Sequence, residues 1–244
     1  MKKILLFLLL IIIVLLAVVR LRYGGGEPYD DLATAPRLDA SELETVLTYP
    51  EPIGNVAVSA EGRVFFTVHP ESRPTGNRLL EFVDGASVPY PDVASQLDLF
   101  DTVLGLVIDR QNRLWSIDHG FHGLRSARLL AFDLDNGEIV LDYRFTKDIA
   151  PAGSFLQDVQ VSADGSTVVV ADASFFRQRP ALVVIDVGTG DIRRVLEGDA
   201  SVAAENTLIR AGGTEMSFLG GIYSLRGGVD GIALGPEWLY FGAL

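Results

Sequence analysis

The run Asp118-His119-Gly120-Phe121-His122 gathers two imidazoles and a carboxylate in one short stretch. Neutral imidazole and carboxylate both suit zinc, and histidine titrates near neutral pH, which suits proton relay. In an extended strand, however, residues three apart point to opposite faces, so both rings meet one metal only if the chain turns at Gly120. No metal site is expected. The plainer reading has Asp118 capping the turn and His119 lining the loop; a more functional one makes His119 a ligand contact or proton relay. Carboxylates form a second group: Asp158, Asp172 and Asp230. Each points either into a channel or onto a backbone N–H of a neighbouring strand. Asn55 and Gln157 offer neutral hydrogen-bonding groups for a polar ligand, and Phe155 can stack on an aromatic ring. Asp230 and His119 are thus the candidate catalytic groups, and Asn55, Phe155, Gln157 and Asp230 the candidate ligand-binding ones. Ser166-Thr167 and the glycine-rich segments lack a P-loop lysine, and no G-x-S-x-G nucleophile elbow occurs. No cofactor is expected.

These residues lie in a repeat. GNVAVSAEGRVFFTV from Gly54, LGLVIDRQNRLWSI from Leu104, LQDVQVSADGSTVVVADAS from Leu156 and DGIALGPEWLYFGAL from Asp230 share one pattern. An alternating apolar strand, a tight polar turn and a second alternating strand recur in each. Ser59, Asp109, Ser162 and Gly235 are equivalent, at intervals of 50, 53 and 73 residues. The first three copies are followed by a second hairpin, with turns at Asp84-Gly85, Asp135-Asn136-Gly137 and Gly188-Thr189-Gly190, where glycine supplies positive φ. Two hairpins per repeat make four antiparallel strands, the blade of a β-propeller. Trp115 and Trp238 hold matching strand positions and read as blade core. The long third interval, around Glu205 to Gly228, is expected either to cover one mouth of the channel or to lengthen an outer strand pair. The fourth copy runs into Leu244, so the expected architecture is all-β and incomplete: about three and a half blades over 46–244.

A membrane segment precedes it. Ile4 to Val19 is an uncharged apolar run between Lys2-Lys3 and Arg20/Arg22, without a small-residue cleavage pattern. Residues 1–22 are therefore expected to be an uncleaved signal-anchor, with secretion as the alternative if the segment is removed, and 23–45 a flexible tether. The propeller would then lie in the periplasm or outside the cell. Setting aside the four basic residues of the anchor leaves 16 Lys and Arg against 32 Asp and Glu. Such a surface repels nucleic acid, and a cationic small molecule is the natural partner of an acidic cavity.

Five motifs in order, GNVAVSAEGRVFFTVHP, GLVIDRQNRLWSIDHG, FLQDVQVSADG with VVVADAS, PALVVIDVGTGDIRRVL and GVDGIALGPEWLYFGAL, resemble the major royal jelly/Yellow family. More narrowly they resemble its bacterial members related to dopachrome tautomerase. The resemblance covers about Val46 to Leu244. It implies a six-bladed, usually secreted propeller with a ligand in its central channel, roughly the last two blades being absent here. It also implies dopachrome conversion or amine binding as activities, with Asp230 or His119 relaying a proton. A non-catalytic module holding a protein partner is the alternative. The related gluconolactonase-like hydrolases hold a divalent metal through Glu, Asn and Asp at the starts of inner strands. Counting five back from the equivalent turn residues puts Gly54, Leu104, Gln157 and Asp230 there. Only Asp230 is charged, which argues against lactonase chemistry.

Overall fold

The computed structural model of the chain describes residues 2–28, 35–211 and 213–244. Part of the expected tether, residues 29–34, and Met1 of the expected anchor lie outside the described residues. The N-terminal apolar run forms α1 (Lys2–Tyr23), a helix of 22 residues with mean hydropathy 3.4 in its most apolar window. At 1.5 Å per residue it is about 33 Å long, long and apolar enough to cross a bilayer. A signal sequence passes the same test. None of its residues is buried against the rest of the chain.

The repeats fold as three four-stranded antiparallel sheets, each in chain order. The first contains β1 (Ile53–Val58), β2 (Val64–Val68), β3 (Leu79–Val83) and β4 (Ala86–Pro89). The second contains β5 (Val103–Ile108), β6 (Arg113–Asp118), β7 (Arg128–Asp133) and β8 (Ile139–Arg144), and the third β9 (Leu156–Val161), β10 (Thr167–Asp172), β11 (Ala181–Asp186) and β12 (Ile192–Val195). After them come two short hairpins, β13 (Arg210–Ala211) with β14 (Thr214–Glu215) and β15 (Ser217–Phe218) with β16 (Tyr223–Ser224). The last hairpin pairs β17 (Val229–Leu234) with β18 (Leu239–Ala243). The first strands stand side by side, β1 against β5, β5 against β9 and β9 against β17. The sheets therefore radiate outward from a common inner row, and no closed sheet forms among the described residues.

Period-two alternation explains why the middle strands are apolar on both sides. On β10, Val168 and Val170 pack with Trp115, Ile117 and Leu129 between the second and third sheets. Val169 and Ala171 face the other way, against Val202 of the following connection and Val229 and Ile232 of the last hairpin. Phe65, Leu79, Phe100, Leu114 and Phe132 fill the space between the first and second sheets. Each such side chain, fully buried, contributes about 1.5–3 kcal/mol before entropy is counted. Trp115 conforms to the core expectation, wholly buried with its indole N–H on Asp109 at 2.8 Å. Trp238 does not: it is 67% exposed, because it lies in the β17–β18 turn, and the strand position matching Trp115 is held by Tyr240.

All four first strands carry a β-bulge near their start, after Ile53, Val103, Leu156 and Val229. An extra residue there bends the strand and re-aims its side chains. Gly54-Asn55, Leu104-Gly105, Gln157 and Asp230-Gly231 occupy these bulges, in agreement with the spacing of the repeats. The strands approach closely at this level. A Cβ on Gly105 would sit 2.3 Å from the carbonyl oxygen of Gln157. Gly105→Ala is therefore expected to cost about 1–3 kcal/mol of stability, read as a lower denaturation midpoint. Gly231→Ala, at the equivalent bulge but with nothing within 4 Å, should leave the midpoint nearly unchanged.

Candidate functional site

Because the strands alternate in direction, the start of each first strand and the end of each second strand share one end of the sheets. The loops 69–78, 119–127 and 173–180, which leave the second strands, gather there. Two terminal carboxylates hold this end. Asp118 accepts hydrogen bonds from the N–H groups of Asp101, Thr102 and Gly120 and from the Thr102 hydroxyl. Burial pushes its carboxyl upward and these bonds oppose that shift. Asp172 accepts from the N–H groups of Phe155 and Ser174 and is paired with Arg194 at 2.8 Å. Capping is thus the role of Asp118.

The His119–His122 segment is not extended. It turns at Gly120 (φ 59), with Phe121 and His122 also in the left-handed region. His119 Nδ1 accepts the His122 N–H at 2.9 Å, and the two rings lie 5.0 Å apart. The turn that the spacing left open therefore exists. His122 Nε2 sits 2.9 Å from Glu71 Oε1. His119 Nε2 and His122 Nδ1 are buried without a hydrogen-bond partner among the described residues. Phe155 packs on both imidazoles, its ring centre 4.5 Å from His119 and 4.9 Å from His122. Phe176 meets His122 edge-on at 4.7 Å. His69 Nδ1 accepts the Glu71 N–H, so all three histidines of the chain belong to one neighbourhood.

This neighbourhood borders an open cavity of about 380 Å³ lined by Glu71, Arg73, Thr102, Phe121, His122 and Phe176, among others. Burial, more than its neighbours, pushes the His119 imidazole down to about 3, so the ring is neutral across the physiological range. The hydrogen bond to His122 holds the Glu71 carboxyl below its usual range. No group of three or more His, Asp or Glu side chains is arranged to hold a metal among the described residues.

A second polar group lies on the inner strands. Gln157 on β9 donates its amide N–H to Asp230 Oδ1 on β17. Asp158 accepts the Ile232 N–H at 2.8 Å and the Val159 N–H at 2.8 Å, stitching β9 to β17. Burial, then the Asp158 charge, push the Asp230 carboxyl up to about 6. Of the sequence candidates, the structure pairs Gln157 with Asp230 and packs Phe155 on His119. Asn55 stands apart on β1, with β5 between it and β9; its N–H donates to the Thr67 hydroxyl. Glu71, His69 and Phe176 were not singled out by sequence. The signal was there, since Val68-His69 and Asp118-His119 end equivalent strands.

Radial four-stranded antiparallel sheets with their first strands in a row define a propeller-like β protein. Residues 102–244 match the sequence profile of the major royal jelly protein family, and the chain belongs to that family. No curated protein matches the chain. Solved structures with similar folds include hydrazine synthase of Kuenenia stuttgartiensis (13% identity, TM-score 0.44) and TolB of Acinetobacter baumannii (13% identity, TM-score 0.40). An auxiliary nutrient binding protein of Bacteroides thetaiotaomicron also matches (10% identity, TM-score 0.40). These alignments cover 65%, 62% and 72% of this chain. They span only 42%, 34% and 42% of the other chains, less than half of each.

The Asp230 environment has a consequence for stability. Its folded pKa of about 6 lies above the ordinary 3.8, so the folded protein keeps a proton that the unfolded chain releases. Stability from this proton is fully present below 3.8 and is lost as the pH rises through about 6. Asp230→Asn is expected to raise the melting temperature at neutral pH and to change it little below 3.8. A calorimetric pH series checks this; an equal difference at both ends would rule out a protonated Asp230.

Proposed function

We propose that this protein is a membrane-anchored, extracytoplasmic propeller that holds a small aromatic, cationic ligand such as an amine-bearing catechol. The six-bladed ring implied by the family resemblance would include the three sheets and the β17–β18 hairpin. The observation that carries the reading is the cavity at Glu71, His122, Phe121 and Phe176. Its size falls in the range of small-molecule sites, and it combines apolar walls with few polar groups. An aromatic ring would rest against Phe121, Phe176 and His122, and an ammonium group would meet the Glu71 carboxylate on the side away from Arg73, which lines the same cavity. Aromatic faces add a further attraction for a cation.

Dopachrome-tautomerase-like activity would draw on the second polar group, Gln157 and Asp230, which lies outside the lining of the Glu71–His122 cavity, so the ligand would have to reach from that cavity to the inner strands. The reaction moves two protons, one from each of the two saturated ring carbons of the indoline quinone, to its two quinone oxygens, with no oxidant or reductant. A carboxyl poised at about 6, as on Asp230, is matched to taking and returning a proton near neutral pH. Gln157, hydrogen-bonded to Asp230, would orient it. His119 is too weak a base for that work and would support the cavity from behind, against His122 and Phe155. Asn55 would contribute only if the ligand spans from β9 to β1. At the inner-strand bulges a divalent metal would find one charged ligand, Asp230, so hydrolase chemistry is not part of the proposal.

Dopamine is expected to raise the melting temperature of the full chain. Glu71→Gln should weaken its binding about tenfold, the scale of one lost charge-assisted hydrogen bond. Titration calorimetry measures the affinity directly. Unchanged melting with dopamine and tryptamine, together with a co-purifying protein, would replace this reading with that of a non-catalytic interaction module.

A further inference from the structure

The two ends of the sheets differ in character. Among the exposed large apolar side chains at the connections of the site-bearing end are Leu97, Phe121, Leu124, Phe176, Phe218 and Leu219. In the hairpin turns at the opposite end, Trp238 is the one such residue among those described. Charge differs less sharply: the opposite hairpin turns carry eight carboxylates and two arginines, whereas the connections at the site-bearing end mix both signs, with Arg73, Arg125 and Arg179 on the loops that leave the second strands. Arg125 and Arg179 keep 64% and 60% of their side chains exposed even while paired with Asp101 and Glu197. In a chain of net charge −12, loops that combine apolar tips with exposed arginines stand out.

The apolar helix joins the molecule at this end. Arg22 donates to the Arg177 carbonyl at 2.9 Å and Tyr23 to the Phe176 carbonyl at 2.8 Å. The Gly25 N–H reaches the Gly221 carbonyl, Arg226 reaches the Gly24 carbonyl, and Glu27 bridges to Thr207. The Tyr23 ring lies against Tyr223, which belongs to the β15–β16 hairpin with Phe218. Arginine and tyrosine at the end of a spanning helix mark the depth of the lipid headgroups. Phe176, whose own carbonyl binds Tyr23, is therefore held at that depth.

We propose that the site-bearing end is a bilayer-docking surface. Leu124, Phe176, Phe218 and Leu219 enter the headgroup region of the membrane that α1 crosses, and Arg73, Arg125 and Arg179 meet lipid phosphates. The acidic opposite end faces water, since anionic headgroups repel it. The Glu71–His122 cavity then opens at the membrane surface and takes its amphiphilic ligand from there. This inference rests on α1 acting as an anchor, as in the proposed function.

The chain lacks cysteine among its residues, so single labelling sites need no background removal. Leu124→Cys and Leu219→Cys at the loop end, and Ala60→Cys in an opposite turn, would carry an environment-sensitive fluorophore. The full chain would be reconstituted in phosphatidylcholine–phosphatidylglycerol vesicles with and without a headgroup-proximal spin-labelled lipid. Loss of most of the emission at positions 124 and 219, with none at 60, is the expected result. Equal emission at all three sites in protein that resists alkaline carbonate extraction would overturn the docking surface and leave the anchor standing. Extraction of the chain by carbonate would overturn both. Shielding of positions 124 and 219 in native membranes but not in lipid-only vesicles would overturn the lipid face in favour of a protein partner.

Discussion

The close approach of the first strands is the constraint on which the rest of the molecule depends. Backbone ladders hold each sheet together internally, but none joins one sheet to the next. Neighbouring sheets are joined instead by apolar packing and by a few directed bonds across the inner row. Thr67 donates its hydroxyl proton to the Leu104 carbonyl, binding the first sheet to the second. The absence of a side chain at Gly105 lets β5 lie on β9. Asp158 accepts the Ile232 N–H and ties the third sheet to the last hairpin. The bulges sit at this same level, so the geometry that brings sheets together also turns Gln157 and Asp230 toward each other.

Outside that row, a second set of polar contacts shapes the loops. Arg128 and Arg194 occupy the strands or strand neighbours at the loop end and reach several carbonyls each: Asp98 and Leu99 for Arg128, Ile149 and Arg179 for Arg194. Each guanidinium also meets a carboxylate, Asp142 or Asp172. A buried charge without such partners would be costly, so these pairs specify one loop arrangement more than they add net stability. The result is a set of connections that hold His122 and Glu71 at a cavity, with His119 buried behind them. Neutral His119 is a product of that packing, since burial against Phe155 and His122 removes the water its charged form requires.

The distribution of charge follows from the fold as well. Tight hairpin turns favour Asp, Asn and Gly because short polar side chains satisfy turn backbone groups locally. Asp164 and Asp186 do so with the N–H groups of Ser166 and Thr189. The turn-bearing end is thereby acidic. The longer connections at the other end also hold such carboxylates, Asp92 on the Ser95 N–H and Asp199 on the Ser201 N–H, but beside them they carry the aromatic and histidine residues from which the candidate site is built.

Much of the architecture was legible in the sequence. Strand alternation, turn glycines and the recurrence at Ser59, Asp109, Ser162 and Gly235 determined the four-strand unit, the order of the sheets and the equivalence of Gly54, Leu104, Gln157 and Asp230, because these are local or periodic properties. The apolar run determined α1 for the same reason. Burial was less secure: Trp115 and Trp238 look alike in sequence, yet the shorter β17–β18 turn puts Trp238 outside the strand and Tyr240 at the position of Trp115. The site was legible in fragments. Residue type suggested His119, Phe155, Gln157 and Asp230, but the Gln157–Asp230 pair spans two sheets and the Glu71–His122 pair spans two loops. The turn at Gly120 rests on φ values that spacing does not encode. Which side chains share a cavity depends on how close the sheets pack and which way the bulges turn them, and only the tertiary structure decides that.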